Sequence, residues 1–89
     1  MPTSKVIIIN KLGLHARAAA KLVNVASSFE SGITLSHRSN CVDGKSIMGI
    51  MMLAAAKGTE IEVHTQGEDS DKALAAIMDL INDKFGEEE

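Results

Sequence analysis

Tryptophan and tyrosine are absent and phenylalanine occurs only at Phe29 and Phe85, so any core must be built from Ile, Leu, Val, Ala and Met. The same scarcity leaves no aromatic platform for stacking bases, and a net charge of −3 gives nucleic acid little electrostatic reason to bind. A single cysteine, Cys41, excludes an internal disulfide framework. No apolar run is long enough to span a bilayer, and no cationic N-terminus precedes an apolar signal core. Both facts favour a soluble cytoplasmic protein with no membrane insertion. Cys41, His37 and His64 match no known ligand spacing, so no metal is expected. Paired carboxylates, a nucleophile elbow and a nucleotide-type glycine loop are all lacking, and no cofactor is expected.

What is present suffices for one fold. The 89 residues, 45% of them hydrophobic, form one expected domain over 1–89 with a single two-layer core. The net charge hides a division: residues 1–57 hold seven Lys and Arg against Glu30 and Asp43, whereas 58–89 hold Lys72 and Lys84 against ten acids. A basic first part suits anionic ligands or an acidic protein partner. A solvated last helix and the Glu87-Glu88-Glu89 tail account for part of the skew.

Along the chain, Ser4 to Asn10 encloses the β-branched run Val6-Ile7-Ile8-Ile9, which favours a strand without a clean exposed face. Lys11 to Leu14 reads as a loop. Ala19, Leu22, Val23, Ala26 and Phe29 recur on one helical face and predict a helix from about Ala16 to Ser28, with Arg17, Lys21 and Asn24 off that stripe. Ile33 to His37 alternates as a half-buried strand does. Arg38-Ser39-Asn40 is a tight connection to a second hairpin arm at Cys41-Val42. Ser46 is a good N-cap for a helix from Ile47 to about Ala56, closed by Gly58, with Ile47, Ile50, Met51 and Ala54 toward the core. Thr59 to Thr65 alternates again, Ile61 and Val63 inward, Glu60, Glu62 and His64 outward. Leu74, Ile77, Met78, Ile81 and Phe85 mark a final amphipathic helix from about Ser70 to Phe85. The order is β-α-β-β-α-β-α. Because two strands meet in a hairpin, the economical arrangement is α+β: an antiparallel four-stranded sheet with three helices on one face, an open-faced β-sandwich.

The stretch Asn10-Lys11-Leu12-Gly13-Leu14-His15-Ala16-Arg17 is where the chemistry is expected. It leaves an apolar strand, turns on a glycine and enters a helix at a histidine, which is a poor capping residue. Helix N-termini offer amides without helical acceptors and the positive end of the dipole, a setting for phosphate. A neutral imidazole is a nucleophile that can attack phosphorus and pass the group on. Arg17 can donate two N–H groups to phosphate oxygens, and the amides of Ala16 and Arg17 can add more. A histidine two residues before an arginine is commonplace on surfaces; the glycine turn and the helix distinguish this pair. Ser46 simply caps a helix, or accepts a phosphate that would lie on a helix N-terminus beside Lys45. Met48, Met51 and Met52 are core residues at helical spacing, or a deformable docking surface if exposed, with Met51 the deepest of the three.

Asn10 to Arg17 together with Gly44-Lys45-Ser46-Ile47-Met48-Gly49 resemble the two signatures of HPr, the histidine-containing phosphocarrier family of the bacterial phosphotransferase system. The resemblance covers essentially the whole chain. It implies an open-faced β-sandwich, and a carrier rather than an enzyme, which forms a phosphohistidine intermediate. His15 would accept a phosphoryl group on Nδ1 from phosphorylated Enzyme I and donate it to an Enzyme IIA, with Arg17 assisting. It implies docking through Ile47, Met48, Met51, Met52 and Ala20, and modification of Ser46 by an ATP-dependent HPr kinase/phosphorylase in many bacteria. A monomer is expected. Where the family usually has proline after the arginine, this chain has Ala18, and Asn24 and Ser27 are less basic than is common on that face. A nitrogen-regulatory paralogue, NPr, with a mainly regulatory role and little sugar transport, is the competing assignment.

Overall fold

In the computed structural model, which describes residues 3–53 and 55–86, the three longer strands alternate between a wet and a dry side. The first strand, β1 (Thr3–Ile7), exposes Lys5 and Ile7 and buries Val6. It therefore has the clean exposed face that its β-branched run does not suggest. It also stops short of Asn10: just beyond Ile7 the Ile8 N–H donates to the Thr59 carbonyl at 2.9 Å and the Ile8 carbonyl accepts the Gly58 N–H at 2.7 Å. In β2 (Gly32–His37), Ile33 and Leu35 point inward; in β4 (Glu60–Gln66), Ile61, Val63 and Thr65 do. The short β3 (Asn40–Asp43) completes an antiparallel sheet of order β1-β4-β2-β3. The hairpin between β2 and β3 turns on two residues, Arg38 and Ser39, with Arg38 at φ +58°, a conformation that favours glycine.

Three helices cover the dry side: α1 (Ala16–Ser27), α2 (Ile47–Met52) and α3 (Ser70–Asn82). The result is the expected open-faced α+β sandwich, in the order β-α-β-β-α-β-α. In α1 the buried residues are Ala18, Ala19, Leu22 and Ala26, while Val23 and Phe29 are half-buried at the edge of the stripe. Ala73, Ile77 and Ile81 are the inner face of α3, with Leu74 and Met78 packed at its margin. Each fully buried Leu or Ile here contributes about 1.5–3 kcal/mol by leaving water.

Two helix ends differ from expectation. The second helix ends at Met52, not near Ala56, and Gly58, at φ +91°, belongs to the turn before β4. The expected inward placement of Ala54 lies outside the described residues. The third helix ends at Asn82, and the chain reverses hand through a short 3-10 turn over Lys84–Gly86, with Lys84 and Phe85 both at φ +56°. Phe85 is wholly buried by that reversal, and the Lys21 ammonium on α1 clamps its carbonyl at 2.6 Å.

The end of the molecule where α1 meets β2 is tied to the start of α3 by Asp69. Its carboxylate accepts the N–H groups of Glu30 at 3.0 Å and Ser31 at 2.9 Å, and the Ser31 hydroxyl donates to it as well. These bonds, the Ser31 hydroxyl foremost and the Glu30 N–H next, hold the Asp69 carboxyl below its ordinary range against an opposing effect of burial. Among the described residues no helix is long and apolar enough to cross a membrane.

Candidate functional site

Gly13 is the pivot of the site loop. Its φ is +66°, and a β-carbon there would lie 2.4 Å from the Ala55 carbonyl oxygen and 2.9 Å from the Ala56 α-carbon. Only a residue without a side chain lets the loop lie this close to the segment following α2. The approach is locked by the Leu14 N–H, which donates to the Ala55 carbonyl at 2.9 Å, and by burial of the Leu14 side chain. The loop before α1 and the chain leaving α2 are thus joined directly. The two helices also pack against one another, so the two motifs adjoin.

His15 occupies the N-cap of α1 with an extended backbone, φ −75° and ψ 178°, and is half-buried. Its carbonyl receives the first helical N–H, that of Ala19, at 2.8 Å, while its side chain makes no capping hydrogen bond. The cap's usual duty falls to neither ring nitrogen, which suits a side chain selected for chemistry over helix stability. Ala16 and Arg17 follow as the first two helical residues, both exposed, where amides have no acceptor one turn back. Ala18, third in the helix, is wholly buried. Ala20 is half-buried one turn on.

Ser46 is reached through a second close approach. The Gly44 N–H donates to the Ile33 carbonyl at 2.7 Å, and a β-carbon on Gly44 would come within 2.6 Å of the Ile33 side chain. The chain then enters α2 with Ser46 at the N-cap, its hydroxyl oxygen accepting the Gly49 N–H at 3.1 Å. The Lys45 ammonium donates to the Phe29 carbonyl at 2.9 Å, a link to the end of α1 that the neighbouring serine alone did not suggest. Ser46 itself is half-buried.

The side chains of α2 correct the sequence-based reading of its inner face. Only Ile50 among its six residues is buried. Ile47 and Met51, both expected inward, are 42% and 40% exposed; Met51 is nonetheless the deepest of the three methionines, as expected, against 70% for Met48 and 75% for Met52. The buried line runs from Ile50 to Leu53, one turn on at the C-cap, and leaves Ile47 and Met51 to the side of it. Leu12 adds an apolar side chain on the site loop, two-thirds exposed, which sequence reasoning passed over. Its only signal was an apolar residue between Lys11 and the glycine turn. Leu12, Ile47, Met48, Met51 and Met52 supply all but one of the exposed large hydrophobic side chains among the described residues. Leu12 lies on the site loop and the other four on α2, and the loop is bonded to the chain leaving α2 through the Leu14 N–H and the Ala55 carbonyl.

The remaining histidines lie elsewhere. His37 ends β2, half-buried. His64 stands on the open sheet face, bonded through Nδ1 to the Thr3 hydroxyl at 2.7 Å and through Nε2 to Glu62 at 2.6 Å. Cys41 is exposed on β3. Among the described residues no group of three or more His, Cys, Asp or Glu side chains is placed to hold a metal ion.

The structure is thus an open-faced sandwich that presents a histidine at a helix start, an exposed arginine two residues on, and exposed apolar side chains on the site loop and α2. Residues 2–83 match the family model described as the PTS HPr component phosphorylation site. The phosphocarrier protein HPr of Pseudomonas aeruginosa is 54% identical over 90 residues, covering 100% of both chains. The crystal structure of HPr-C-His from Thermoanaerobacter tengcongensis superposes with a TM-score of 0.96 at 44% identity, covering 100% of each chain. A crystal structure of an HPr dimer from the same organism superposes at 0.79 and 44% identity, covering 98% of this chain and 100% of that one. The chain belongs to the HPr family, the phosphocarriers of the phosphotransferase system.

Proposed function

We propose that His15 is the phosphoryl acceptor, taking the group from phosphorylated Enzyme I and delivering it to an Enzyme IIA domain in the cytoplasm, with residues 1–89 acting as one monomeric domain. The observation that carries this reading is the placement of His15: half-buried at the N-cap of α1, its side chain not spent on capping, with Arg17 exposed two residues on. A lone pair of imidazole Nδ1 attacks phosphorus while the bond from phosphorus to the donor breaks and its electron pair leaves with the donor. The resulting phosphohistidine keeps a reactive P–N bond, and the second transfer repeats the exchange toward the acceptor. Such displacement needs positioning and stabilisation of charge on the three equatorial oxygens. The Arg17 guanidinium and the amides of Ala16 and Arg17 supply donors on one side. Leu12, Ala20, Ile47, Met48, Met51 and Met52 offer the surface on which donor and acceptor dock.

Incubation with Enzyme I and phosphoenolpyruvate tests this reading. The wild type gains one acid-labile phosphoryl group and His15→Ala gains none. An unlabelled wild type, or an equally labelled variant, overturns it.

A second, regulatory reading, as a serine-kinase target or nitrogen-type regulator with little sugar transport, rests on Ser46. Its hydroxyl caps the helix that carries the exposed Met48 and Met52. A phosphate there would put negative charge at the rim of the docking surface. Treatment with HPr kinase/phosphorylase and ATP should give a mass gain that Ser46→Ala abolishes; no gain removes this reading.

A further inference from the structure

Asn10 is wholly buried, although a polar residue ending an apolar strand reads as a solvent boundary. A buried side-chain amide is unfavourable unless it is bonded, and the bond made here leads toward His15. The Asn10 Nδ2 donates to the Gly13 carbonyl at 2.8 Å, and the Asn10 backbone carbonyl accepts the Gly13 N–H at 3.2 Å. The next N–H, that of Leu14, donates to the Ala55 carbonyl. Both polar ends of the Gly13–Leu14 peptide are therefore held, one by Asn10 and the other by Ala55. Only the Leu14 α-carbon separates that peptide from His15, and the buried Leu14 side chain fixes it in turn.

We infer that Asn10 is a positioning residue for phosphoryl transfer, setting the backbone from which the His15 imidazole projects; the inference rests on His15 being the acceptor. An apolar side chain of similar size would fill the same space, but it could not hold the Gly13 carbonyl. In-line displacement is sensitive to this, because misplacing a reacting group by about 1 Å costs on the order of a hundredfold in rate.

The test compares Asn10→Leu, which keeps roughly the same volume and loses the donor, and Asn10→Ala with Ile81→Val, a core change in α3 remote from the site. Single-turnover phosphorylation by Enzyme I and phosphoenolpyruvate is followed as a function of carrier concentration. A wild type that is not labelled on His15 removes the functional reading itself. With the wild type labelled, the Asn10 variants are expected to lose roughly tenfold or more in maximal transfer rate, with the half-saturating concentration unchanged, since the docking surface is untouched. Ile81→Val should transfer at the wild-type rate. Variants as fast as wild type, a loss confined to affinity, or an equal loss in Ile81→Val overturn the inference. Should neither Asn10 variant fold, amide exchange in the wild type decides: the Leu14 N–H and the Asn10 side-chain N–H protons should exchange slowly, and exchange at the rate of an open loop overturns it.

Discussion

Gly13 and Ala55 lie in backbone contact, the carbonyl oxygen of Ala55 filling the space where a β-carbon of residue 13 would be. Gly13→Ala therefore meets two penalties: a left-handed φ, which costs about 1–2 kcal/mol for a residue with a β-carbon, and a collision with backbone that cannot rotate away. The expected loss is ~2 kcal/mol or more by urea titration. Because the displaced loop leads straight into His15, phosphoryl transfer should fall further than the loss of stability explains. Transfer at the wild-type rate by the folded variant would show that the contact is purely structural.

The outline of the fold was legible because its periodicities are simple. Ile33, Leu35, Ile61 and Val63 recur at every second position, while Leu22, Ala26, Ile77 and Ile81 keep one helical face, and all eight are buried. Limits appeared where one residue type serves two purposes. Ile47 and Met51 are as apolar as Ile50, and nothing local says that the helix ends at Met52 and leaves them exposed. The composition from Met51 to Ala56 stays that of a helix, yet Ala55 lies outside α2, in backbone contact with Gly13 and bonded to the Leu14 N–H. Phe85 falls on the stripe of α3 by spacing, yet reaches the core through a turn of opposite hand that the Lys21 clamp helps hold. At the site, the histidine, the arginine and the capping serine were readable from their neighbours in sequence. The burial of Asn10 and the exposure of Leu12 depend on elements distant in sequence and could not be read that way.

Ser46 should matter to stability whether or not it is modified. Replacing it by Ala removes the hydroxyl that satisfies the Gly49 N–H, which typically costs about 1 kcal/mol and lowers Tm by roughly 5 °C in a domain of this size. Ser46→Asp keeps an acceptor at the N-cap and should recover most of that loss. Thermal unfolding followed by circular dichroism of the three proteins checks the order: wild type and Asp close together, Ala below both.

Asp69 gives the protein an acid limb. Its carboxyl titrates lower in the folded protein than its ordinary value of 3.8, because the Ser31 hydroxyl and the Glu30 N–H bond its charged form. A depressed folded value means that its stabilising contribution is complete above about 3.8 and is lost as the pH falls through the lower folded value. Asp69→Asn removes the charge and turns an amide donor toward groups that are themselves donors. The variant should be less stable at neutral pH and should lose less stability than wild type between pH 5 and pH 2 (roughly the range over which such carboxylates titrate). Urea midpoints across that range measure both effects; parallel curves would mean that Asp69 has no part in the acid limb.

Ala18 offers a test of how the helix start serves phosphate. As the third residue of α1 it precedes the first helical bond, made by the Ala19 N–H, so proline there breaks no helical hydrogen bond. The added ring must fit where Ala18 is wholly buried, and overpacking of that kind costs about 1–3 kcal/mol. The variant Ala18→Pro should fold with a stability loss in that range and should retain phosphorylation on His15. It also lacks one amide at the positive end of the helix.

Met48 and Met52 separate docking from chemistry. Both are at least 70% exposed, so Met48→Ala and Met52→Ala should leave stability within about 0.5 kcal/mol of wild type. If the two side chains fit into a partner, each truncation removes contact present in the ground state and the transition state alike, raising KM for Enzyme I several-fold while kcat holds. That pattern is the reverse of the one expected for Asn10, whose change should lower kcat and leave KM in place. Steady-state transfer measured on all four proteins (wild type, the two methionine variants and Asn10→Ala) distinguishes the two roles in one assay. A fall in kcat with KM unchanged for the methionine variants would place Met48 and Met52 in positioning, not docking.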